Sequence, residues 1–421
     1  MRTPKILTTM RDYSWKLFIS DLWAGISVAM VALPLSIAIA IASGATPAQG
    51  LFTAIIGGVF VSLLGGSRVQ IGGPTGAFIV VVHSVINQHG YDGLLIATFL
   101  AGIILVIAGL FRAGRLIALV PEMVISGFTI GIAIIIATSQ INDFAGMNIA
   151  NLPAEFFEKI KILAQAMPAI NSTALVLGAV SLLILIVFRK LAPSGPGLIA
   201  AVVLTSIVCV VFALPVETIA TKFGDLPSQL PLPGLPQTTF SQIVEVLPSA
   251  FIIAFLAGVE SLLSAMVADK MIDGHHRPNA ELTAQGFANI ASTFFGGMPV
   301  TGAIARTATN VSVGGKTPVA GIIHALTILL IVMFAASWIG LIPMTVLSAL
   351  LILTAWNMSE PSKWGDYLRA SKSDKFLLIT TLTLTVVADL TVAIAVGVAL
   401  GLAIKMLKSN KTDSDWSAPD R

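Results

Sequence analysis

Arg306, in the stretch "MPVTGAIARTATNVSVGGKT" (298–317), and Glu260, in "FIIAFLAGVESLLSAMVADK" (251–270), are ionisable side chains set in apolar or small-residue sequence. An arginine held away from water needs a negative partner, either a carboxylate of its own chain or an anion from outside. Gly302, Ala303 and Ala305 beside Arg306 are small and leave room for that partner. Glu260 is the best carboxylate candidate in the chain. Ser261 lies next to it and Ser264 one helical turn on, on the same face. Acids placed in this way mark ion or proton pathways.

Two clusters of helix breakers lead to these residues. Gly72, Gly73 and Pro74 precede one short helical run that starts near Thr75, and Gly296, Gly297 and Pro299 precede another that starts near Gly302. Backbone groups freed at such breaks are tolerated within a membrane only where protein or water covers them. Each helix start offers unsatisfied N–H groups and about half a positive charge, a ready site for an anion. Two such ends with Arg306 sum to about +2, which an ionised Glu260 reduces to about +1. Protonating Glu260 therefore strengthens anion binding, which is a route to proton–anion symport. A sodium ion held by Glu260, Ser264 and freed carbonyls does the same.

These residues need a scaffold in the membrane. Of 421 residues, 56% are hydrophobic and 11% charged, which excludes an ordinary soluble domain and predicts an all-α polytopic membrane protein. One span takes about 20 apolar residues. Windows at 21–43, 47–65, 75–88, 93–111, 120–142, 171–188, 196–214, 246–268, 318–336, 341–356 and 374–404 meet or approach this. With short or broken stretches at 284–295 and 302–313, and with the last window folded around Asp389, about fourteen segments are expected.

The first 20 residues mix Arg2, Lys5, Arg11 and Lys16 with Trp15 and Phe18 and read as a cytoplasmic, interface-lying lead-in, not a cleaved leader. With that end inside, Arg112/Arg115, Arg189/Lys190, Lys270/Arg277, Lys316, the Lys363–Lys375 group and the Lys405–Lys411 tail fall on the cytoplasmic side. Lys159, Lys161 and Lys222 fall outside. The net charge of +3 thus reflects topology and carries no case for nucleic acid. The single cysteine, Cys209, excludes an internal disulfide and reads as a small core residue.

A proline-rich polar segment, 215–240, divides the chain into near-equal parts. An order of motifs recurs across it. "AQGLFTAIIGG" from Ala48 leads to "GPTGAF", and "AQGFANIASTFFGG" from Ala284 leads to "MPVTGAI". With an odd number of spans per half, the second half enters from the opposite side, the inverted-repeat plan of secondary transporters. The expected organisation is an interfacial N-terminus (1–20), a first repeat (21–215), an extracellular linker (216–245), a second repeat (246–406) and a cytoplasmic tail (407–421).

His83 and His324, alone in apolar spans, are expected to be satisfied core histidines, and Asp269, Lys270, Asp273 and His275–Arg277 a solvated loop. Glu122 starts a helix after Pro121, where an acid is favourable. "SVGGKT" lacks the glycine spacing of a phosphate-binding loop, and neither zinc-ligand spacing nor a nucleophile elbow appears, so no enzyme and no cofactor is expected.

Taken together, these residues resemble the SulP anion transporters, called solute carrier family 26 in animals. "ALPLSIAIAIASGATPAQGLFTAIIGG" is similar to the family's first-helix region, "GGPTGAF" to its third segment, "GVESLLSAMVAD" to its eighth and "MPVTGAIARTATNVSVGGKT" to its tenth. The resemblance implies seven plus seven inverted segments, a core domain that holds substrate, a gate domain, alternating access and a homodimer. It places substrate contacts at Thr75, Gly76, Ala77, Thr301, Gly302, Ala303, Ala305 and Arg306, and a proton- or sodium-linked site at Glu260 with Ser264. Ala305 stands where many members have serine, and Leu35 where a glutamine is common after the first-helix proline, here Pro34. Members usually continue into a cytoplasmic STAS domain, whereas this sequence ends at Arg421; the expectation is a chain without it. The expected protein is a secondary active carrier of sulfate, bicarbonate or a dicarboxylate such as fumarate, proton-coupled, in a bacterial inner membrane with both termini cytoplasmic. The alternatives are a sodium-coupled symporter or an exchanger of the same family, a nucleobase carrier of the same fold, an uncoupled anion channel, and a non-transporting scaffold.

Overall fold

A computed structural model describes residues 3–114, 121–149, 152–153, 155–191, 197–234, 236, 238–388 and 390–408. The expectations for Arg115, for the turn at Asp389 and for most of the 407–421 tail lie outside these residues.

The first half is built from α1 (Trp15–Ala42), α2 (Pro47–Leu64), α3 (Ile79–Leu110), α4 (Glu122–Ser139), α5 (Phe156–Gln165), α6 (Ser172–Leu191) and α7 (Gly197–Val211). The second half is built from α8 (Phe240–Ile272), α9 (Pro278–Phe294), α10 (Ile304–Val313), α11 (Val319–Gly340), α12 (Met344–Met358), α13 (Lys372–Val387) and α14 (Leu390–Lys408). Two-residue strands, β1 (Gly72–Gly73) and β2 (Thr301–Gly302), precede α3 and α10.

Local chemistry sets the ends. Thr46 and Gln49 form a capping box at α2 with Pro47 as the first helical residue, and Thr239 with Gln242 does the same at α8. The second cap starts α8 at Phe240, inside the stretch expected to be linker. The expected windows 75–88 and 93–111 are joined in α3, but Gly90 interrupts it at φ +71°, so the segment is a half-helix followed by a second span. Seven of the described helical stretches are long and apolar enough to cross a membrane.

Packing separates two bodies. In one, α3 lies along α8 and α9, α11 along α1 and α2, and α10 between α1 and α8. In the other, α4 packs on α12 and α13, α6 on α7 and α12, and α13 on α14. Each body draws helices from both halves, as the core and gate expectation requires. Gly102 and Gly286 let α3 and α9 cross closely, since a Cβ on either would come within 2.7 Å of the other's carbonyl oxygen.

Two buried carboxylates tie loops to the core by accepting hydrogen bonds. Asp21, fully buried near the start of α1, accepts the backbone N–H groups of Lys316 (2.9 Å) and Thr317 (3.1 Å) and the hydroxyls of Thr317 (2.5 Å) and Tyr13 (3.2 Å). Glu281 accepts from the backbone of Gly66 and Ser67. The loop after α8 differs from expectation. Asp269 and His276 are not free in solvent, because the carboxylate accepts the His276 backbone N–H at 2.8 Å and meets its Nδ1 at 2.6 Å.

Candidate functional site

The breaks predicted from glycine and proline meet at the centre of the core. β1 and β2 pair antiparallel, with Gly72 opposite Gly302 and Gly73 opposite Thr301. Extended backbone inside a membrane must exchange its hydrogen bonds with other protein groups. Here the Ala303 N–H donates to the Ile71 carbonyl at 2.9 Å, and the Ile71 N–H to the Thr307 hydroxyl at 3.1 Å. Beyond the strands, residues 76–78 form a turn of 3-10 helix that leads into α3, and α10 begins at Ile304. The two short helices therefore start side by side.

A polar layer from α8 braces the strands. The Gly302 N–H donates to the Ser261 hydroxyl (3.0 Å), which lies 2.7 Å from the Thr301 hydroxyl, itself a donor to the Ala257 carbonyl (3.1 Å). Since the Thr301 proton is committed to Ala257, Ser261 is the donor to Thr301. Gln70 reaches the Ser261 carbonyl (3.1 Å), and Asn310 the Val69 carbonyl (2.8 Å).

Arg306 is the largest fully buried side chain among the described residues, only 1% exposed. Its Nη2 donates to the Ser36 hydroxyl on α1 and to the Pro74 carbonyl, each at 3.0 Å. Its Nε and Nη1 have no partner among the described residues, and no carboxylate pairs with it there. The alternative in which Glu260 itself pairs with Arg306 is not what the chain adopts; a relay of neighbours lies between them. Glu260 accepts the Thr75 hydroxyl at 2.8 Å, and Thr75 immediately follows the Pro74 that Arg306 holds. A buried guanidinium with two unused donors is costly in a core that means to stay closed.

Both groups line a cavity of about 930 Å³ between the two bodies. Of the predicted residues, Thr75, Gly76, Ala77, Glu260, Ala303, Ala305 and Arg306 line it. Thr301, Gly302 and Ser264 do not: the first two form β2 behind it, and Ser264 donates to Thr307 at 3.2 Å. The gate supplies Ser126, Thr129, Asn357 and Met358 to the facing wall, and the cavity extends to Glu122, Arg189, Lys270 and Lys363 at one end of the bundle. Leu35 is part of the core wall, so the position where a polar contact was missed is apolar here in fact.

The sequence did not single out Ser36 or the gate wall. A lone serine in "VALPLSIAIAIA" was a usable signal for the first, whereas gate residues become visible only once the bodies face each other. His83 and His324 also depart from expectation. His324 is fully buried beside the Gly321 backbone and within reach of the Arg306 charge, and neither ring nitrogen completes a well-formed hydrogen bond among the described residues. His83 faces Asn87 through Nε2 at 3.1 Å and lies against the Ser43 backbone, where Nδ1 completes no well-formed hydrogen bond among the described residues.

A buried arginine at two paired helix starts, beside a cavity between two bodies of long apolar helices, defines a polytopic membrane protein with a polar centre. Comparisons with known proteins agree. Residues 18–381 match the model of the sulfate permease family. YvdB of Bacillus subtilis, described as a candidate sulfate transporter, is 42% identical over 91% of this chain and 72% of its own length. The bicarbonate transporter BicA of a Picosynechococcus species is 31% identical over 89% of this chain and 67% of its own. Among solved structures, the transmembrane domain of a cyanobacterial BicA superposes with a TM-score of 0.81 at 27% identity, covering 93% of this chain and 98% of that one. Murine solute carrier 26 member A9, in an inward-facing state, shares the fold at a TM-score of 0.87 and 20% identity, over 96% of this chain and 71% of that one.

The chain belongs to the sulfate permease family. It is an integral membrane anion transporter, not an enzyme.

Proposed function

We propose that the chain carries sulfate or bicarbonate across a bacterial plasma membrane by alternating access, with proton entry as the driving force. The observation that carries this reading is Arg306. It is buried, bound on one nitrogen to Ser36 and Pro74, and left with two free donors between two helix starts. An oxyanion can take up those donors, which replaces the missing carboxylate and neutralises the helix ends. The names of YvdB and BicA support the two anions. The cavity extends toward Arg189, Lys270 and Lys363, the end that the lysine and arginine pattern assigns to the cytoplasm, so this conformation is read as inward-facing.

Coupling is assigned to Glu260. Its carboxylate is held by Thr75 at the edge of the same cavity, so a proton on it removes one negative charge from the anion's surroundings. Ser264 is turned to Thr307, which favours the proton over a sodium ion shared by Glu260 and Ser264. The working unit is proposed to be a homodimer with both termini in the cytoplasm.

The test is uptake of labelled sulfate, bicarbonate and fumarate into proteoliposomes under an imposed inward proton gradient, with a sodium gradient as the parallel arm. Saturable sulfate or bicarbonate uptake driven by the proton gradient is expected. Drive by sodium alone would move coupling to that ion. Conductance far above carrier rates without coupling would make the protein a channel, and absence of all anion flux in folded protein would sink the reading.

A further inference from the structure

The gate meets the core directly at one of the two helix starts. Gly76, the residue after Thr75, opens the 3-10 turn that leads into α3. A Cβ on Gly76 would stand 2.9 Å from the Met358 sulfur, 3.7 Å from its methyl carbon and 3.8 Å from Ile136 Cδ1. Both neighbours belong to the gate: Ile136 lies in α4, and Met358 is the last residue of α12. Gly76 and Met358 also line the cavity that Arg306 and Glu260 line. The helix start thus has Arg306 and backbone donors on its core side and an apolar contact on its gate side.

The backbone that presents Met358 is tied down. Glu360, two residues on, holds φ +50°, a left-handed conformation that costs energy for a residue with a side chain. Its carboxylate accepts from Lys363 Nζ at 2.9 Å and from the Tyr367 hydroxyl, and Tyr367 also reaches the Ser126 hydroxyl on α4 at 3.1 Å. The Ser359 hydroxyl donates to the Trp356 carbonyl at 2.7 Å, and the Ser359 carbonyl accepts the Trp364 indole N–H at 2.7 Å. A turn held at so many points fixes where the next side chain stands, which is what a discriminating contact needs. Only the unbranched Met358 side chain itself is left to yield.

We propose that Met358 is the gate's specificity residue and limits the length of anion that seats at the Gly76 helix start. Compact oxyanions such as sulfate and bicarbonate fit beside the thioether, and a longer dicarboxylate such as fumarate meets it. This deepens the transport reading above and rests on it. Sulfate and fumarate are both dianions at neutral pH, so Arg306 and the helix ends attract them alike and the apolar contact separates them. A misfit of about one methylene at such a contact is worth roughly tenfold or more in discrimination. Gly76 has its part in this fit, since any side chain there would take the space that Met358 leaves.

The test is uptake of labelled sulfate, bicarbonate and fumarate into proteoliposomes by wild type, Met358→Ala, Met358→Leu, Gly76→Ala and the Gly76→Ala/Met358→Ala pair. Wild type is expected to carry sulfate or bicarbonate with a kcat/KM at least tenfold above that for fumarate. Met358→Ala should raise fumarate relative to the better of the other two at least fivefold, whereas Met358→Leu, which keeps the bulk, should retain the wild-type ratio. Gly76→Ala should raise KM for the compact anions, and adding Met358→Ala should reverse that rise, because the sulfur that the new methyl meets is gone. An active Met358→Ala with an unchanged ratio overturns the proposal. So does an equal loss for all three anions, which would make Met358 structural, and so does a wild type that carries fumarate as well as sulfate. If Met358→Ala does not fold, Met358→Val, which also removes the sulfur, decides by the same ratio. Wild type that moves none of the three is a separate result: it removes the transport reading, and the role of Met358 with it.

Discussion

Arg306 Nη2 donates to the carbonyl of Pro74 at 3.0 Å, so the arginine of the second half is fastened to the helix break of the first. The adjoining Gly73 lies opposite Thr301 in the strand pair, and Thr75 reaches Glu260 on the far side. The proposed anion site, the strand pair and the acid therefore share three consecutive residues, 73 to 75. A change in any one of them reaches the other two across one or two peptide units, without any long-range pathway.

Gly73 gives the sharpest steric test. It holds φ +156°, and a Cβ there would come within 2.2 Å of Arg306 Nη1. Gly73→Ala is expected to displace the guanidinium and to lower anion affinity about as much as Arg306→Ala does, in protein that still folds. Isothermal titration in detergent checks this; an affinity within twofold of wild type would show that Nη1 does not contact the anion.

Substitutions at Arg306 itself should separate charge from geometry. Arg306→Ala is expected to weaken anion binding by at least tenfold, about 1.4 kcal/mol. Arg306→Lys keeps the charge but cannot serve Ser36, Pro74 and an anion together, so it should recover only part of that loss. Ser36→Ala, which removes one of the two bonds on Nη2, should cost about 1 kcal/mol of affinity.

For coupling, Glu260→Gln is expected to keep anion binding and to lose acceleration by an inward proton gradient. Its amide oxygen can still accept the Thr75 hydroxyl, so the local structure has no reason to collapse. Thr75→Val removes that hydroxyl and should alter the pH dependence of uptake while leaving Arg306 in place. Gradient-driven uptake by Glu260→Gln at the wild-type rate would remove Glu260 from the coupling step.

Asp21 supports stability rather than transport. Asp21→Ala strands the N–H groups of Lys316 and Thr317 in a buried site and is expected to destabilise the fold by about 3 kcal/mol. Asp21→Asn, which retains an acceptor oxygen, should lose less. Thermal unfolding in detergent distinguishes them, and equal melting temperatures for wild type and Asp21→Ala would show that solvent replaces the carboxylate.

Much of this protein was determined by sequence alone, because the signals are local. Apolar windows give the spans, since each must match one bilayer thickness. Gly72–Pro74 and Gly296–Pro299 give the breaks, since glycine and proline act on their own backbone. Arg306 and Glu260 were visible as charges in the wrong solvent. What pairs with what was left to tertiary structure. Glu260 was the natural partner of Arg306 by charge, yet the chain brings Ser36 and Pro74 to the arginine and Thr75 to the acid. Ser264 shares a helix face with Glu260 in the sequence pattern, but α10 packs against that face and takes the hydroxyl for Thr307. Lys159 looked like an ordinary external lysine until α5 folded with that side inward. Period and composition tell where a residue stands on its own element. Which element packs over it is a long-range outcome of the whole fold, and that outcome decided which charges stayed unpaired.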